Sequence, residues 1–515
     1  MRLRLRGAAA STVVLVLGLL LSMSAAPAAE ASVHTASARP GRYAAIDDYI
    51  RDRMKATHAP GISYAVVGPD GPVHQRSWGT DGRGRRVTAE TPFLWGSVAK
   101  PIAATSVMVL VQNGRLRLDD RVVNRLPDFR FGGAAHASRV TVRHLLNQTS
   151  GIPESAALKV TDCFDADCPR PAERIRALDG VRPIGRPGAK YAYSSANYLV
   201  LAAVVEAVTG RSFADHLRQA VLDPAGMDDA IADRASAHRQ NLPPGHQLLW
   251  GVPTAIADGV DDHGAGYGYL GGDLHDLAAF AALQLRGGKA ADGDTVLTPE
   301  SVRLMRAEGG LRPTGTATGY GLGWRVGGLG APLDDAIWHT GATPGYSAML
   351  FLLPKRDIAI VLEQNLYGLL HDEAVMRVGF GAARLLAGGR APTSTACASP
   401  YYWTVFGATA CAMALILTAV RSALLLRRPA ATGSGPRRTI LTAVWCVAGG
   451  LPCAALAWAV DRMSPEQLIT WIPDIFISGC VAATAGAATL ILRLVLAIRA
   501  ARVGRLRSST AVRTR

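Results

Sequence analysis

The 515 residues contain no G-x-S-x-G elbow and no H-E-x-x-H helix. Neither a serine presented on a strand-to-helix turn nor a zinc ion held by two histidines one helical turn apart is therefore available for hydrolysis. Charge is sparse, with Asp, Glu, Lys and Arg making up 18% of the chain, and there are only six lysines. The formal charge of +15 is consequently carried by arginine, and its placement decides its meaning. From Cys397 onward thirteen Arg face only Asp461, Glu466 and Asp474, and near the start Arg2, Arg4, Arg6 and Arg39 face only Glu30. About +2 is left for the central region, which excludes the basic face that nucleic-acid binding requires. Gly266–Gly271 spells a formal G-x-G-x-x-G, but no strand precedes it and its spacers are aromatic. It reads as a loop before a helix starting near Asp273, not as a dinucleotide site.

The charge that is present marks a membrane topology. The start, MRLRLRGAAASTVVLVLGLLLSMSAAPAAEA, has a charged n-region, an apolar stretch near Val13 to Met23 and small residues from Ala25 to Ala31. Residues 1–31 thus read as a signal peptide, with an uncleaved N-terminal anchor as the rival. After a linker over 389–402, three apolar segments fill 403–498, at about Trp403 to Leu426, Ile440 to Val460 and Ile475 to Ile498. Each is long enough to cross about 30 Å of hydrocarbon. The first connecting loop carries four Arg, the second carries acids and one Arg, and the tail over 499–515 is basic. The positive-inside rule places the first loop and the tail in the cytoplasm and the region before Trp403 outside, in a multi-pass protein of the cell membrane. Arg421 and Arg493 lie about one turn from the cytoplasmic helix ends, where snorkelling accounts for them.

Cysteine usage follows the same division. Cys163 and Cys168, in DCFDADCP on the exported side, are expected to form a local disulfide. Cys411, Cys446, Cys453 and Cys480 lie in the apolar segments and read as core thiols. Cys397 is left unpaired at the junction.

Residues 42–388 read as one exported α/β (α+β) domain. An opening helix, Arg42 to Thr57, precedes a hairpin formed by Gly61 to Val67 and Pro72 to Gly79 across a GPDG turn. Further strands appear only late, at Gly321 to Val326, Ala336 to Gly341, Ala348 to Leu353 and Ile358 to Glu363, before a last helix at Leu369 to Ala387. Between them, Val140 to Gly310 is mostly helical pattern. Early and late strands around a helical middle predict an antiparallel sheet completed by both ends of the domain, flanked by helices, with an inserted all-helical lobe. The cleft between lobe and sheet is where a site is expected.

Three segments carry candidate chemistry. Ser97 and Lys100 form the chain's only Ser-x-x-Lys, at the mouth of an apolar helical run from Val98 to Val111. Residues three apart share a helix face, so the amine can reach Ser97 Oγ while the helix N-terminus favours the alkoxide. Tyr193 precedes a second apolar helix, and a tyrosine near an ammonium can have its pKa lowered and shuttle a proton. Alone, it reads as a half-buried core tyrosine before it reads as a proton carrier. His339, Thr340 and Gly341 lie on a predicted strand, where Gly341 leaves room for a substrate to approach the backbone. The N–H groups of Ser97 and Ala342 can cradle an oxyanion. A lone strand histidine is, by itself, more often structural.

Together these segments resemble the serine β-lactamase and penicillin-binding family, in its branch of class C β-lactamases, D-alanyl-D-alanine carboxypeptidases and related esterases. That branch reads Ser-x-x-Lys, Tyr-x-Asn and Lys/His-Thr-Gly in this order. LLNQTSGIP at Leu145 to Pro153, PGAKYAYSS, GYGLGW and HTGATPGY echo its flanking phrases. The resemblance covers about Tyr43 to Leu386 and does not extend to the membrane segments. It implies that Ser97 is the acylated nucleophile, Lys100 its proton acceptor and Tyr193 the group passing a proton to the leaving group. His339 takes the place of the third-motif cation, partly charged near neutrality, against a substrate carboxylate or the tyrosine hydroxyl. Ser195, with Thr340 and Gly341, would contact substrate. Ser195 stands where the family has asparagine, and its single hydroxyl must share what an amide does with two groups. D-alanyl peptides, β-lactams and esters are the implied substrates, with esters and small D-amino-acid amides favoured by that change. Two-step covalent catalysis of this type calls for no metal or organic cofactor. The alternative is a penicillin-binding receptor or scaffold with little turnover. Asn147-Gln148-Thr149 matches a glycosylation sequon by pattern only, and no role is assigned to it.

Overall fold

The computed structural model describes residues 41–308, 311–314, 318–392, 400–429 and 436–513. The leader expected over 1–31, Cys397 and residues 430–435 of the first arginine-rich loop lie outside the described residues. Helix α1, Ala44–Thr57, stops where His58 takes a left-handed φ of 60° and turns its N–H back onto the last carbonyls. Strands β1, Gly61–Gly68, and β2, Gly71–Gly79, form the expected hairpin. Every residue of β1 is buried, and the period of two divides them: Ala65 and Val67 join one core, Ile62, Tyr64 and Val66 the other.

The first core is built under helices α2, Ala99–Gln112, α3, Ser195–Thr209, and α4, Leu274–Leu285. Asp273 caps α4, and the aromatic glycine-rich segment before it is a loop, as the sequence predicts. The late strands are β3, Arg312–Pro313, β4, Thr318–Tyr320, β5, Arg325–Gly327, β6, Ile337–Thr343, β7, Tyr346–Leu353, and β8, Ile358–Gln364. They complete a sheet of order β2-β1-β8-β7-β6-β5-β4-β3, with every neighbouring pair antiparallel. Ile62 pairs with Gln364, so the beginning and end of the domain meet in mid-sheet. Helix α5, Asp372–Leu386, packs with α1 over the second core.

Two local readings change. The single strand expected over Gly321 to Val326 is split, because Gly323 adopts a φ of +90° and a Cβ there would sit 2.6 Å from the Ala104 Cβ. The middle region also contains a hairpin, Gly245–Leu249 with Val252–Ala257, turned by Trp250 and Gly251 at positive φ. That turn lacks the Asn-Gly or Asp-Gly signal by which such hairpins are recognised.

Among the described residues, three further helices are long and apolar enough to cross a membrane: α6, Pro400–Leu426, α7, Pro436–Arg462, and α9, Pro473–Arg513. A short helix α8, Pro465–Trp471, joins the last two. Helix α9 packs on both α6 and α7. A Cβ on Gly449 would stand 2.5 Å from Gly486 O, so these small residues set how closely α7 and α9 approach. Arg493 stacks over the Trp445 ring at 4.9 Å. Of the cysteines expected as core thiols, Cys411 is instead exposed on α6, while Cys446, Cys453 and Cys480 are half-buried. An apolar thiol needs no protein partner on a surface that can face lipid. Cys163 and Cys168 form the expected disulfide.

Candidate active site

Ser97 sits in a tight turn, Gly96–Val98, that feeds directly into α2. Gly96 has a φ of +55°, and a Cβ on it would overlap the backbone of Ala342; a Cβ on Gly341 would overlap Trp95 O and stand 2.5 Å from Ser97 N. Two chain segments without side chains at their crossing thus lie in backbone contact, which sets Ser97 N–H beside Ala342 N–H. This corrects the expectation for Gly341: the space it leaves is filled by the turn that carries Ser97.

Lys100 is fully buried, with its Nζ 2.8 Å from Ser97 Oγ, 3.2 Å from Ser195 Oγ and 2.7 Å from the Tyr267 carbonyl. Burial holds its pKa well below the usual lysine range; Arg325 adds to the shift and Asp162 opposes it. A neutral amine has two hydrogens and one lone pair. The Tyr267 carbonyl can only accept, so it fixes one hydrogen, and the Ser97 and Ser195 hydroxyls share the other hydrogen and the lone pair; with Ser195 Oγ accepting, the lone pair faces the Ser97 hydroxyl. This is the geometry of a base.

Tyr193 is held by a residue without an assigned role. Gln148, buried and at a φ of 62°, accepts at its backbone oxygen from Ala192 N at 2.8 Å. Its side-chain oxygen accepts from Ser194 N at 3.0 Å and from Asn197 Nδ2 at 2.5 Å. The sequon-like segment is thus a buried brace for the tyrosine loop. Lys100 Nζ stands 5.0 Å from the Tyr193 ring centre, and the His339 ring lies 6.2 Å away, centre to centre. Desolvation raises the phenol's pKa above its ordinary value, with Arg325 and Ser97 pulling the other way. A pKa lowered by a neighbouring ammonium was expected. The direction reverses because burial outweighs the lowering influence of Arg325 and Ser97, leaving Tyr193 protonated at rest.

His339 is 1% exposed. Its Nδ1 lies 2.7 Å from the Thr340 carbonyl and its Nε2 3.3 Å from the Tyr320 hydroxyl. Because a carbonyl only accepts, Nδ1 carries the hydrogen. Burial, then Arg325, then Lys100 push the ring's pKa well below 6.5. His339 is therefore neutral, which corrects its reading as a partly charged anchor. The cation at the site is Arg325 on β5, whose guanidinium stands 5.3 Å from the Tyr193 ring centre, 5.9 Å from that of Tyr320 and 5.4 Å from that of Trp338. Nothing in the sequence singled it out beyond its position after GYGLGW. Thr340 is half-buried between these groups.

Residues 46–378 match the family model described as Beta-lactamase. Over 323 residues the chain is 33% identical to penicillin-binding protein 4 of Amycolatopsis lactamdurans, an alignment covering 60% of this chain and 81% of that protein. It is 24% identical to Protein flp of Staphylococcus aureus strain COL, covering 62% of each. Among solved structures, the octameric penicillin-binding protein homologue from Pyrococcus abyssi superposes with a TM-score of 0.57 at 22% identity, over 70% of this chain and 80% of that one. EstCE1, a hydrolase with promiscuous acyltransferase activity, superposes with a TM-score of 0.53 at 20% identity, over 65% and 97%. At these identities the solved structures establish the fold alone.

Proposed function

The chain belongs to the Beta-lactamase family, and from that premise we propose that it is a membrane-anchored, outward-facing serine hydrolase that forms an acyl-enzyme at Ser97 from amides or esters. One observation carries the reading: the Nζ of a fully buried lysine stands 2.8 Å from Ser97 Oγ, with the Tyr267 carbonyl and Ser195 Oγ as its other partners. As Ser97 Oγ attacks the carbonyl carbon, its proton passes to Lys100 Nζ. The oxyanion that forms is met by the N–H groups of Ser97 and Ala342. Tyr193 gives its phenolic proton to the departing nitrogen or oxygen and recovers one from the Lys100 ammonium. Water then attacks the ester with the same groups in reversed roles.

Arg325 is the group that would bind a free carboxylate on the acyl donor, and its permanent charge makes that binding independent of pH near neutrality. Ser195 reaches Lys100 with its only hydroxyl proton free for one other partner, which favours donors that ask little of it, such as esters and small amides. The disulfide supports an oxidising, extracytoplasmic setting, and the arginine distribution supports the same orientation.

The test is labelling of the full chain in detergent with a fluorescent penicillin and with a fluorophosphonate. Hydrolysis of a D-Ala-D-Ala peptide, nitrocefin and short esters is followed in parallel, on wild type beside Ser97→Ala. Penicillin label at Ser97 that clears within minutes, a lasting fluorophosphonate adduct at the same residue, and ester or amide turnover are the expected outcome. A permanent penicillin adduct without turnover would mark a binding receptor, and absence of label under both reagents would refute the reading.

A further inference from the structure

The helix joining the last two membrane-length segments does not hang free. Gln467, 6% exposed on α8, donates from Nε2 to the carbonyls of Leu158 at 3.0 Å and Thr161 at 3.3 Å. Trp471 Nε1 donates to Asp162 Oδ2 at 2.9 Å. Two residues of α8 thus fasten onto a segment of the hydrolase domain that leads into the Cys163–Cys168 loop.

Beyond Asp162 the polar contacts run inward. Asp162 Oδ1 accepts from the Tyr269 hydroxyl at 3.0 Å, and Asp162 N donates to the Tyr267 hydroxyl at 2.9 Å. That hydroxyl donates to Asp261, which Arg174 clamps through two bonds of 2.8 and 2.7 Å. The same Tyr267 supplies the carbonyl that accepts from Lys100 Nζ. Tyr267 is therefore held at its phenol by the segment on which α8 sits, and at its backbone it holds one hydrogen of the Lys100 amine.

We propose that α8 is a positioning element of the active site: by seating Gln467 and Trp471 on residues 158–162 it fixes Asp162 and Tyr267, and through them the orientation and basicity of Lys100. The inference rests on the acyl-enzyme reading given above. It makes the membrane segment part of the catalytic support, beyond a tether, so that acylation depends on how the second and third spans present their connecting loop.

Two charge effects accompany the geometry. Asp162 is faced by Trp471, Tyr269, Tyr267, Asp261 and Arg174. Burial raises its carboxyl to about 6, against the lowering influence of the Trp471 and Tyr269 hydrogen bonds. Lys100 is faced by Arg325, Tyr193, Tyr198 and His339, and among its charged neighbours the Asp162 carboxylate favours the ammonium form. Removing the indole donor thus makes Asp162 easier to protonate, and a neutral Asp162 lets Lys100 lose its proton at lower pH.

The experiment uses the full chain in nanodiscs. Labelling of Ser97 by a fluorophosphonate is timed from pH 5 to 9 for wild type, Trp471→Phe, Gln467→Glu and, as a control on an exposed membrane-helix face, Trp403→Phe. Amide exchange of residues 158–163 is measured in parallel. Both α8 variants are expected to lose at least fivefold in plateau rate and to exchange faster at 158–163. In Trp471→Phe the midpoint of the acid limb is also expected to move down in pH, and the control should match wild type. Plateau rates within twofold of wild type, or a uniform loss with an unmoved midpoint in Trp471→Phe, would overturn the proposal. Unaltered exchange at 158–163 would overturn the seating itself. If wild type carries no label, the acyl-enzyme reading fails separately, and the exchange data alone decide whether α8 is seated.

Discussion

Arg325→Gln tests the electrostatics of the site in one substitution. The Lys100 ammonium position and the Arg325 guanidinium stand over the same phenol, 5.0 and 5.3 Å from its ring centre, so the two charges are within about 10 Å of each other. At an effective dielectric constant of about 20, like charges at that separation repel by roughly 1.7 kcal/mol, equivalent to about one pH unit. Solvent at the half-buried guanidinium trims this to about half to one unit. The sign follows from the direction of the lysine's shift. Arg325 disfavours the ammonium, so its removal raises the Lys100 pKa. The amine is then free to accept the Ser97 proton only at higher pH, and the acid limb of acylation moves upward by about half to one unit. The same substitution removes the carboxylate anchor. A charge-assisted hydrogen bond contributes about 1.5–3 kcal/mol, so kcat/KM for an acyl donor with a free carboxylate is expected to fall about 10- to 100-fold. A neutral p-nitrophenyl ester should keep its plateau rate. Stopped-flow acylation of both donors from pH 5 to 9 measures the two effects separately. An acid limb that stays in place or moves down, or equal losses on charged and neutral donors, would refute both the neutral-lysine assignment and the anchoring role.

Three further perturbations act on the surrounding support. Gly341→Ala forces a Cβ against Trp95 O and Ser97 N; it should cut the fluorophosphonate labelling rate by about 100-fold, as misplacing an oxyanion donor does, while circular dichroism reports a retained fold. Arg174→Met leaves Asp261, fully buried, without the guanidinium that helps hold its carboxyl below the ordinary value. The loss should be about 3–5 kcal/mol near neutrality, and because a depressed carboxyl stabilises only while ionised, the gap to wild type in denaturant titrations should close as pH falls below about 4. Replacing Cys163 and Cys168 with serine opens a loop of sequence separation 5, for which chain entropy predicts a loss of about 2 kcal/mol, read as a lower Tm that reductant no longer changes.

What the sequence disclosed about the site divides by the range of the interactions involved. Ser97 and Lys100 are one helical turn apart, so their meeting follows from local geometry, and the hydrophobic periods of β1 and the late strands place them in one sheet. The charge states did not follow in the same way. An ammonium lowering a phenol and a partly charged histidine are sensible readings of isolated side chains, but in the fold desolvation is the largest influence on Lys100, Tyr193 and His339 alike. Burial is a property of the whole packed domain and has no local signature. Tyr267 escaped notice for a different reason: it acts on Lys100 through its backbone carbonyl, a group every residue possesses. Gln148 was hidden inside a pattern that usually marks an exposed loop, whereas here Asn147, Gln148 and Thr149 are all fully buried.

Arg325 and Asp162 show why motif residues alone do not set the chemistry. Neither belongs to Ser-x-x-Lys, to the tyrosine loop or to His-Thr-Gly, yet one disfavours and the other favours the charged form of the same amine. Arg325 is carried by a three-residue strand of the sheet, and Asp162 is tied to α8 through Trp471. The basicity of Lys100 is thus set first by burial and then trimmed by two opposing fields that originate in separate elements. A displacement of β5 makes the amine a stronger base but one that is protonated at working pH. A displacement of α8 makes it a weaker base that is free at lower pH. Because an efficient general base has a pKa near the operating pH, either displacement lowers the rate at neutrality. Arg325→Gln and Trp471→Phe should therefore shift the acid limb in opposite directions, and the double variant should return it toward the wild-type position without restoring the plateau rate.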